Sequence, residues 1–118
     1  MKLITAIVRP EILDELIPAL IDQGARGLTV TDVRGFGQQY GRLAGAATRV
    51  TGRPGEDMAV LLAKVRLDLV VLDDDAETIV EAMAKHARTE AVGDGKIWVT
   101  PVDSAMRVRT GERDRAAV

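Results

Sequence analysis

Cysteine is absent from the chain, which excludes disulfides and thiolate chemistry. A single histidine, His86, excludes a multi-histidine metal site made by one chain, and a solvent-exposed or dipole-stabilising role near a helix end is expected of it. Aromatic side chains are scarce: Phe36, Tyr40 and Trp98 are the three, so the core has to be aliphatic. There is no excess of positive charge. The net charge of −2 argues against a nucleic-acid binder that works by bulk electrostatics. No apolar run approaches the ~20 residues of a membrane span, so no direct membrane insertion is expected. The opening "MKLITAIVRPEILDEL" has no small-residue cleavage site and turns acidic early, so a signal peptide is not expected and a cytoplasmic protein is.

What is present is a chain of 118 residues with 47% apolar content, the size and composition of one globular domain with an ordinary core. Residues 2–8, "KLITAIV", are apolar on both alternating faces, as in a central strand. Residues 11–23 carry Ile12, Leu13, Leu16, Ile17, Leu20 and Ile21 at helical spacing. Pro18 inside this helix predicts a kink or loosening, and Gly24 a stop. Residues 27–37 read as a second strand. From Gln38 to about residue 58 the pattern dissolves into glycines, prolines and the arginines Arg42, Arg49 and Arg53, a long loop free to move.

Residues 59–72 form a long strand with Lys64, Arg66 and Asp68 on one face, expected to face solvent, and Val65, Leu67 and Leu69 on the other. A helix follows over 75–88, with Asp74 and Glu77 spaced as an N-terminal cap and Ile79, Val80, Met83, Ala84 and Ala87 as its stripe. A last strand covers 96–102, and a tail in which Arg107 and Arg109 share a face if it is extended. Strand, helix, strand, strand, helix, strand is the ferredoxin-like α+β order. Two helices cover one face of a four-stranded antiparallel sheet. The apolar second face predicts an oligomer that buries it.

The junction "TEAVGDGKIWVT", residues 89–100, places Gly93, Asp94, Gly95 and Lys96 between helix and strand. Asp-Gly is a common turn pair. The same residues also suit an anion cradle, in which glycine admits a phosphate and lysine supplies charge. The residues alone leave both open.

The chain resembles the nitrogen-regulatory PII signalling proteins along almost its whole length: "MKLITAIVRP", "GLTVTDVRGFG", "GDGKIWV" and "RVRTGE" occur in the family's order and spacing, apart from the long loop. The resemblance implies a single βαββαβ domain over residues 1–118 with a mobile T-loop over 37–60 and a C-terminal tail over 103–118. It implies a homotrimer with an adenine nucleotide in each inter-subunit cleft, a T-loop that docks on a membrane transporter or metabolic enzyme, and no enzymatic activity. In that family the matching amides of Gly93, Asp94 and Gly95, with Lys96, hold phosphates, which decides for the cradle over the turn. Arg107 and Arg109 match tail arginines that reach the phosphates from a neighbouring subunit. Thr29 and Asp68 match positions near the adenine, Gly35 and Gly37 the glycines that pass close to the ligand, and Gln38, Lys64 and Thr89 complete the nucleotide set. Gln39 matches the glutamine that coordinates Mg²⁺ beside 2-oxoglutarate. Lys64, with Gly41 at the loop base, matches the effector site, Lys64 pairing a carboxylate.

The departures from the family pattern carry their own expectations. Gln38 stands where many relatives have a phosphate-binding arginine, and Tyr40 where a lysine is common. Glu90 and Ala91 add a negative charge and remove a positive one. A thinner positive field predicts ADP or AMP favoured over ATP. The segment between Gly41 and Lys64 is longer than the common pattern and lacks the tyrosine that many relatives expose for modification. These loop changes resemble those of divergent PII-like proteins associated with carbon uptake, and that resemblance implies a different target, with bicarbonate as effector and inorganic-carbon uptake as its setting. The alternative is a conventional nitrogen-regulatory protein sensing ATP with Mg²⁺ and 2-oxoglutarate. Slow nucleotide hydrolysis and a purely structural trimer are the further alternatives.

Overall fold

The computed structural model describes residues 1–37, 48–49 and 60–118. Strand β1, Lys2–Val8, matches the apolar run. A 3₁₀ turn at Pro10–Ile12 leads into helix α1, Leu13–Asp22, so the α-helix begins later than the apolar spacing implied. Pro10 explains the delay: it starts the turn with its φ already set and has no amide to leave unpaired. Pro18 lies within α1, which is assigned without a break. The donor it lacks would have reached Asp14, in the first turn, so only one bond at the helix start is lost.

Gly24 ends α1 as expected, with φ +92. Its N–H donates to Ile21 O at 2.9 Å and that of Ala25 to Leu20 O at 2.9 Å, the paired bonds that close a helix through a left-handed residue. Strand β2 is Thr29–Gly35 and β4 is Val60–Val71. Between them Thr48–Arg49 form a short strand, β3, where the sequence pattern implied only loop; it pairs with Val60 and Leu61 of β4. That pairing is non-local, so no periodicity announces it.

Helix α2 runs Asp73–Ala87. The Asp74–Glu77 cap does not form: Leu72 holds the N-cap position and no side chain caps the helix. Asp73 pairs with the Met1 ammonium at 2.9 Å, and the three acids of the first turn face the positive helix end. Strand β5 is Gly95–Pro101.

The sheet order is β2-β4-β1-β5, all pairs antiparallel, with β3 joined to β4. This is the ferredoxin-like α+β fold that the element order implied. One sheet face carries both helices. There Ile4, Ala6, Val8, Val65, Leu67, Leu69 and Val71 meet Leu16 and Leu20 of α1 and Ile79, Met83 and Ala87 of α2, all buried. Each fully buried Leu or Ile adds roughly 1.5–3 kcal/mol of transfer free energy, so an aliphatic core of this size suffices.

Among the described residues no α-helix covers the other face, and the C-terminal segment reaches only one end of it. The register lines up Leu3 with Val70, Thr5 with Asp68 and Ile7 with Arg66 across β1 and β4. On the β5 side Trp98 lies opposite Thr5. Val70 and Trp98 are each 39% exposed. The three charges of β4 are half-buried here, not fully solvated as their row suggested.

Candidate functional site

Two clefts open on the bare sheet face, at its opposite ends. The first, about 540 Å³, is walled by Leu3, Leu28, Val70 and Met106, with Arg26, Thr29, Asp68 and Arg107 as its polar groups. The second, about 340 Å³, is lined by Ile7, Phe36, Leu62 and Trp98 and by Gly35, Gly37, Lys64, Gly93, Gly95 and Lys96. Lys64 and Asp68 stand four positions apart on β4, a span of about 13 Å at strand rise. The structure thus divides the expected nucleotide residues into two groups. Arg109 is exposed and lines neither cleft. The tail is not extended: a bridge between Met106 and Arg113 closes it into a turn, and Arg107 pairs with Glu112. Arg107 and Arg109 therefore share no strand face. Gln38, Gln39 and Gly41 lie outside the described residues.

At the first cleft Asp68 is held from two sides. Thr5 Oγ1 donates to Asp68 Oδ1 at 2.7 Å. Arg66 donates to Oδ2 through Nε at 2.8 Å and to Oδ1 through Nη2 at 3.1 Å. The Arg66 hydrogen bond is the main reason the Asp68 carboxyl sits below its ordinary pKa, with the Thr5 bond adding to it against the opposing effect of burial. A depressed carboxylate stabilises the fold above its unfolded pKa and loses that contribution as pH falls through the folded value. Thr5→Val removes a donor at a site only 1% exposed. It is expected to lower stability by about 1–2 kcal/mol at neutral pH. The difference from the parent should narrow in acid, once Asp68 is protonated; urea unfolding at several pH values reads both.

At the second cleft the loop from Thr89 to Gly95 is tied inward. Asp94 Oδ2 accepts from the Thr89 amide at 2.7 Å and Oδ1 from the Thr89 hydroxyl. These bonds, chiefly the hydroxyl one, hold the Asp94 carboxyl below its ordinary pKa. Both side chains bind the loop to itself and do not reach outward. Arg9 spans the same loop, donating to Thr89 Oγ1 at 3.0 Å and to Val92 O at 2.8 Å, and lying 3.1 Å from Asp94 Oδ1. Lys64 Nζ donates to Gly93 O at 2.6 Å. Burial, then the neighbouring Arg9 charge, pushes the Lys64 ammonium below the ordinary lysine pKa. It therefore sheds its proton earlier on the alkaline side than a surface lysine would.

Gly93 and Gly95 adopt φ +101 and +114. At Gly95 an added Cβ would lie 1.9 Å from Ile7 O, so only glycine allows β5 to start against β1. Among the described residues the Gly93 amide donates to no protein acceptor.

Arg9 was legible only as the residue that ends β1. Its signal was its parity: it continues the odd-numbered face of Leu3, Thr5 and Ile7 and is the one charge on it. Arg66 was visible as part of a charged row, but its grip on Asp68 was not. His86 sits near the end of α2, half-buried, its Nδ1 2.9 Å from Ala82 O. Among the described residues no cluster of acids and histidine could hold a metal. None of their helices is long and apolar enough to cross a membrane.

A glycine loop tied inward by its own carboxylate and flanked by cations thus closes one end of the ferredoxin-like sheet. The family profile for nitrogen regulatory protein P-II matches residues 1–112. The chain belongs to this family, whose members are signalling proteins and not enzymes. It is 42% identical to the nitrogen regulatory protein P-II of Synechocystis sp., with all of both chains covered. It is 46% identical to nitrogen regulatory protein P-II 1 of Methanothermobacter thermautotrophicus, covering all of this chain and 97% of that one. To the nitrogen regulatory protein P-II of Cereibacter sphaeroides the identity is 44%, with both chains fully covered.

Proposed function

We propose that this P-II protein acts in the cytoplasm as a homotrimer that binds an adenine nucleotide between subunits and passes its state to a target through the segment 37–60. The observation that carries the reading is the loop before β5. Its Asp94 carboxylate is turned onto Thr89 and Arg9 and Lys64 holds the Gly93 carbonyl, while the Gly93 amide and the Lys96 ammonium are left for an anion at the second cleft. The first cleft, where the apolar walls of Leu3, Leu28 and Val70 stand beside Thr29 and Asp68, suits a base. Packing of the bare sheet faces brings one subunit's first cleft, with Arg107, towards its neighbour's second cleft. Thr29, Asp68 and Arg107 then meet Gly35, Gly37, Gly93, Gly95 and Lys96 around one ligand, with Thr89 and Asp94 shaping the loop.

ADP or AMP is the favoured ligand over ATP. Gln38 brings no charge where a terminal phosphate would sit, and Glu90 places an acid at the mouth of the loop. Bicarbonate, read by Lys64 and the loop base, is the effector, and a bicarbonate transporter or a related enzyme is the target. A second reading, a sensor of ATP with Mg²⁺ and 2-oxoglutarate, draws support from Gln39 and Lys64 and from the printed names of the relatives.

Calorimetric titration with ATP, ADP and AMP separates the two, each with and without 2-oxoglutarate plus Mg²⁺, and with and without bicarbonate. ADP or AMP binding that answers to bicarbonate and ignores 2-oxoglutarate is the expected result. ATP binding tightened by 2-oxoglutarate would establish the second reading. No nucleotide binding at all would leave a structural trimer.

A further inference from the structure

The loop before β5 presents two consecutive carbonyls, those of Val92 and Gly93, to two neighbouring cations. Arg9 Nη2 takes the first at 2.8 Å and Lys64 Nζ the second at 2.6 Å. In a trans peptide the carbonyl and the following N–H point in opposite directions. A cation that fixes a carbonyl therefore fixes the next amide on the far side. The rule can be checked within the loop itself. Lys64 holds Gly93 O, and the next amide, that of Asp94, turns back to Ala91 O at 3.3 Å. By the same rule Arg9, holding Val92 O, turns the Gly93 N–H away from the guanidinium. Two successive carbonyls can face one side here because Gly93 has φ +101, which a side chain would oppose.

We infer that Arg9 is a positioning residue for the anion cradle: its guanidinium, bridging Thr89, Val92 and Asp94, sets the peptide between Val92 and Gly93 so that the Gly93 N–H faces the ligand. This rests on the reading that the second cleft takes nucleotide phosphates. Arg9 itself is turned onto the loop, its side chain 24% exposed, and it need not touch the ligand. The planar fork is the essential feature, because one group reaches a hydroxyl, a carbonyl and a carboxylate at once. A lysine would keep the charge and lose the fork.

The test compares ADP with adenosine, which lacks phosphates, in the parent, Arg9→Lys and Arg9→Gln proteins, with melting temperature and light-scattering mass as controls. The ratio of ADP to adenosine affinity is expected to fall by about tenfold or more in both variants, the loss of one hydrogen bond to a charged group. General damage to the fold would weaken both ligands together and leave the ratio unchanged, which overturns the inference. Restoration of the ratio by lysine would also overturn it, since charge alone would then suffice. If the parent binds ADP no better than adenosine, the phosphate reading itself fails. Proton–nitrogen NMR of the ligand-free Arg9→Lys protein then still decides the geometry. A shifted, faster-exchanging Gly93 amide supports the inference, and an unmoved one refutes it.

Discussion

Gly95→Ala should be the most damaging single-methyl change in the described part of the molecule. The new Cβ would lie 1.9 Å from Ile7 O and 3.1 Å from Val8 Cα, at a φ of +114. Both obstacles are backbone of β1, the central strand, so neither can rotate aside. Backbone strain of roughly 1–3 kcal/mol and overpacking of roughly 1–3 kcal/mol together predict a loss of about 2–6 kcal/mol. Relief requires β5 to pull off β1 at its first residue, which would also displace Lys96 and the loop before it. Gly111→Ala is the matched control, because its φ is +73 but nothing lies within 4 Å of the added carbon. It should cost only the strain. Chemical denaturation of the two variants reads the difference, and equal midpoints would show that the strand start yields more easily than the geometry implies.

Trp98→Glu should break the proposed trimer. Trp98 stands on the bare sheet face opposite Thr5, 39% exposed in the single chain. A trimer that buries this face would take the glutamate's charge out of water and lose the apolar area of the indole, and Lys64 and Lys96, which line the same cleft, would offset only part of that charge. An incompletely paired buried charge costs up to roughly 3–5 kcal/mol. The contrasting substitution is Val108→Glu, at a residue 95% exposed on the tail. Light scattering should return the parent mass for Val108→Glu and the monomer mass for Trp98→Glu. A Trp98→Glu protein that keeps the parent mass would mean that subunits do not pack through this face.

The parts of the fold that were readable from sequence are those where one local rule decides. β1 is a short apolar run closed by Arg9 and Pro10, and its bounds agree with the pattern. Gly24 stops α1 because a left-handed residue is needed there. The cap of α2 shows how a local rule loses. Asp74 and Glu77 have the right spacing, but the helix begins at Asp73, two residues earlier than expected, leaving Leu72 as N-cap. β3 and the folded tail depend on partners far along the chain or across a turn, and neither leaves a period in the sequence. In the site, Gly93, Gly95 and Lys96 were recognisable by type and Lys64 through the family resemblance, and the structure gathers the four at one cleft. Thr89 and Asp94 were recognisable by position only; their side chains bind the loop to itself, which no spacing reveals. Arg9 escaped notice because its three partners lie some eighty residues away.

Strand β4 runs unbroken for twelve residues, from Val60 to Val71. It pairs with β3 at one end, with β2 and β1 along its length, and it carries Lys64 and Asp68. At strand rise it is a rod about 40 Å long. Alternation makes its register all-or-none: sliding by one residue would drive Lys64, Arg66 and Asp68 into the aliphatic core and expose Val65, Leu67 and Leu69. The strand therefore has no small adjustments available along its axis. A displacement carried by this strand from one cleft to the other is a tilt or bend of a fixed ruler, with the spacing between its graduations preserved.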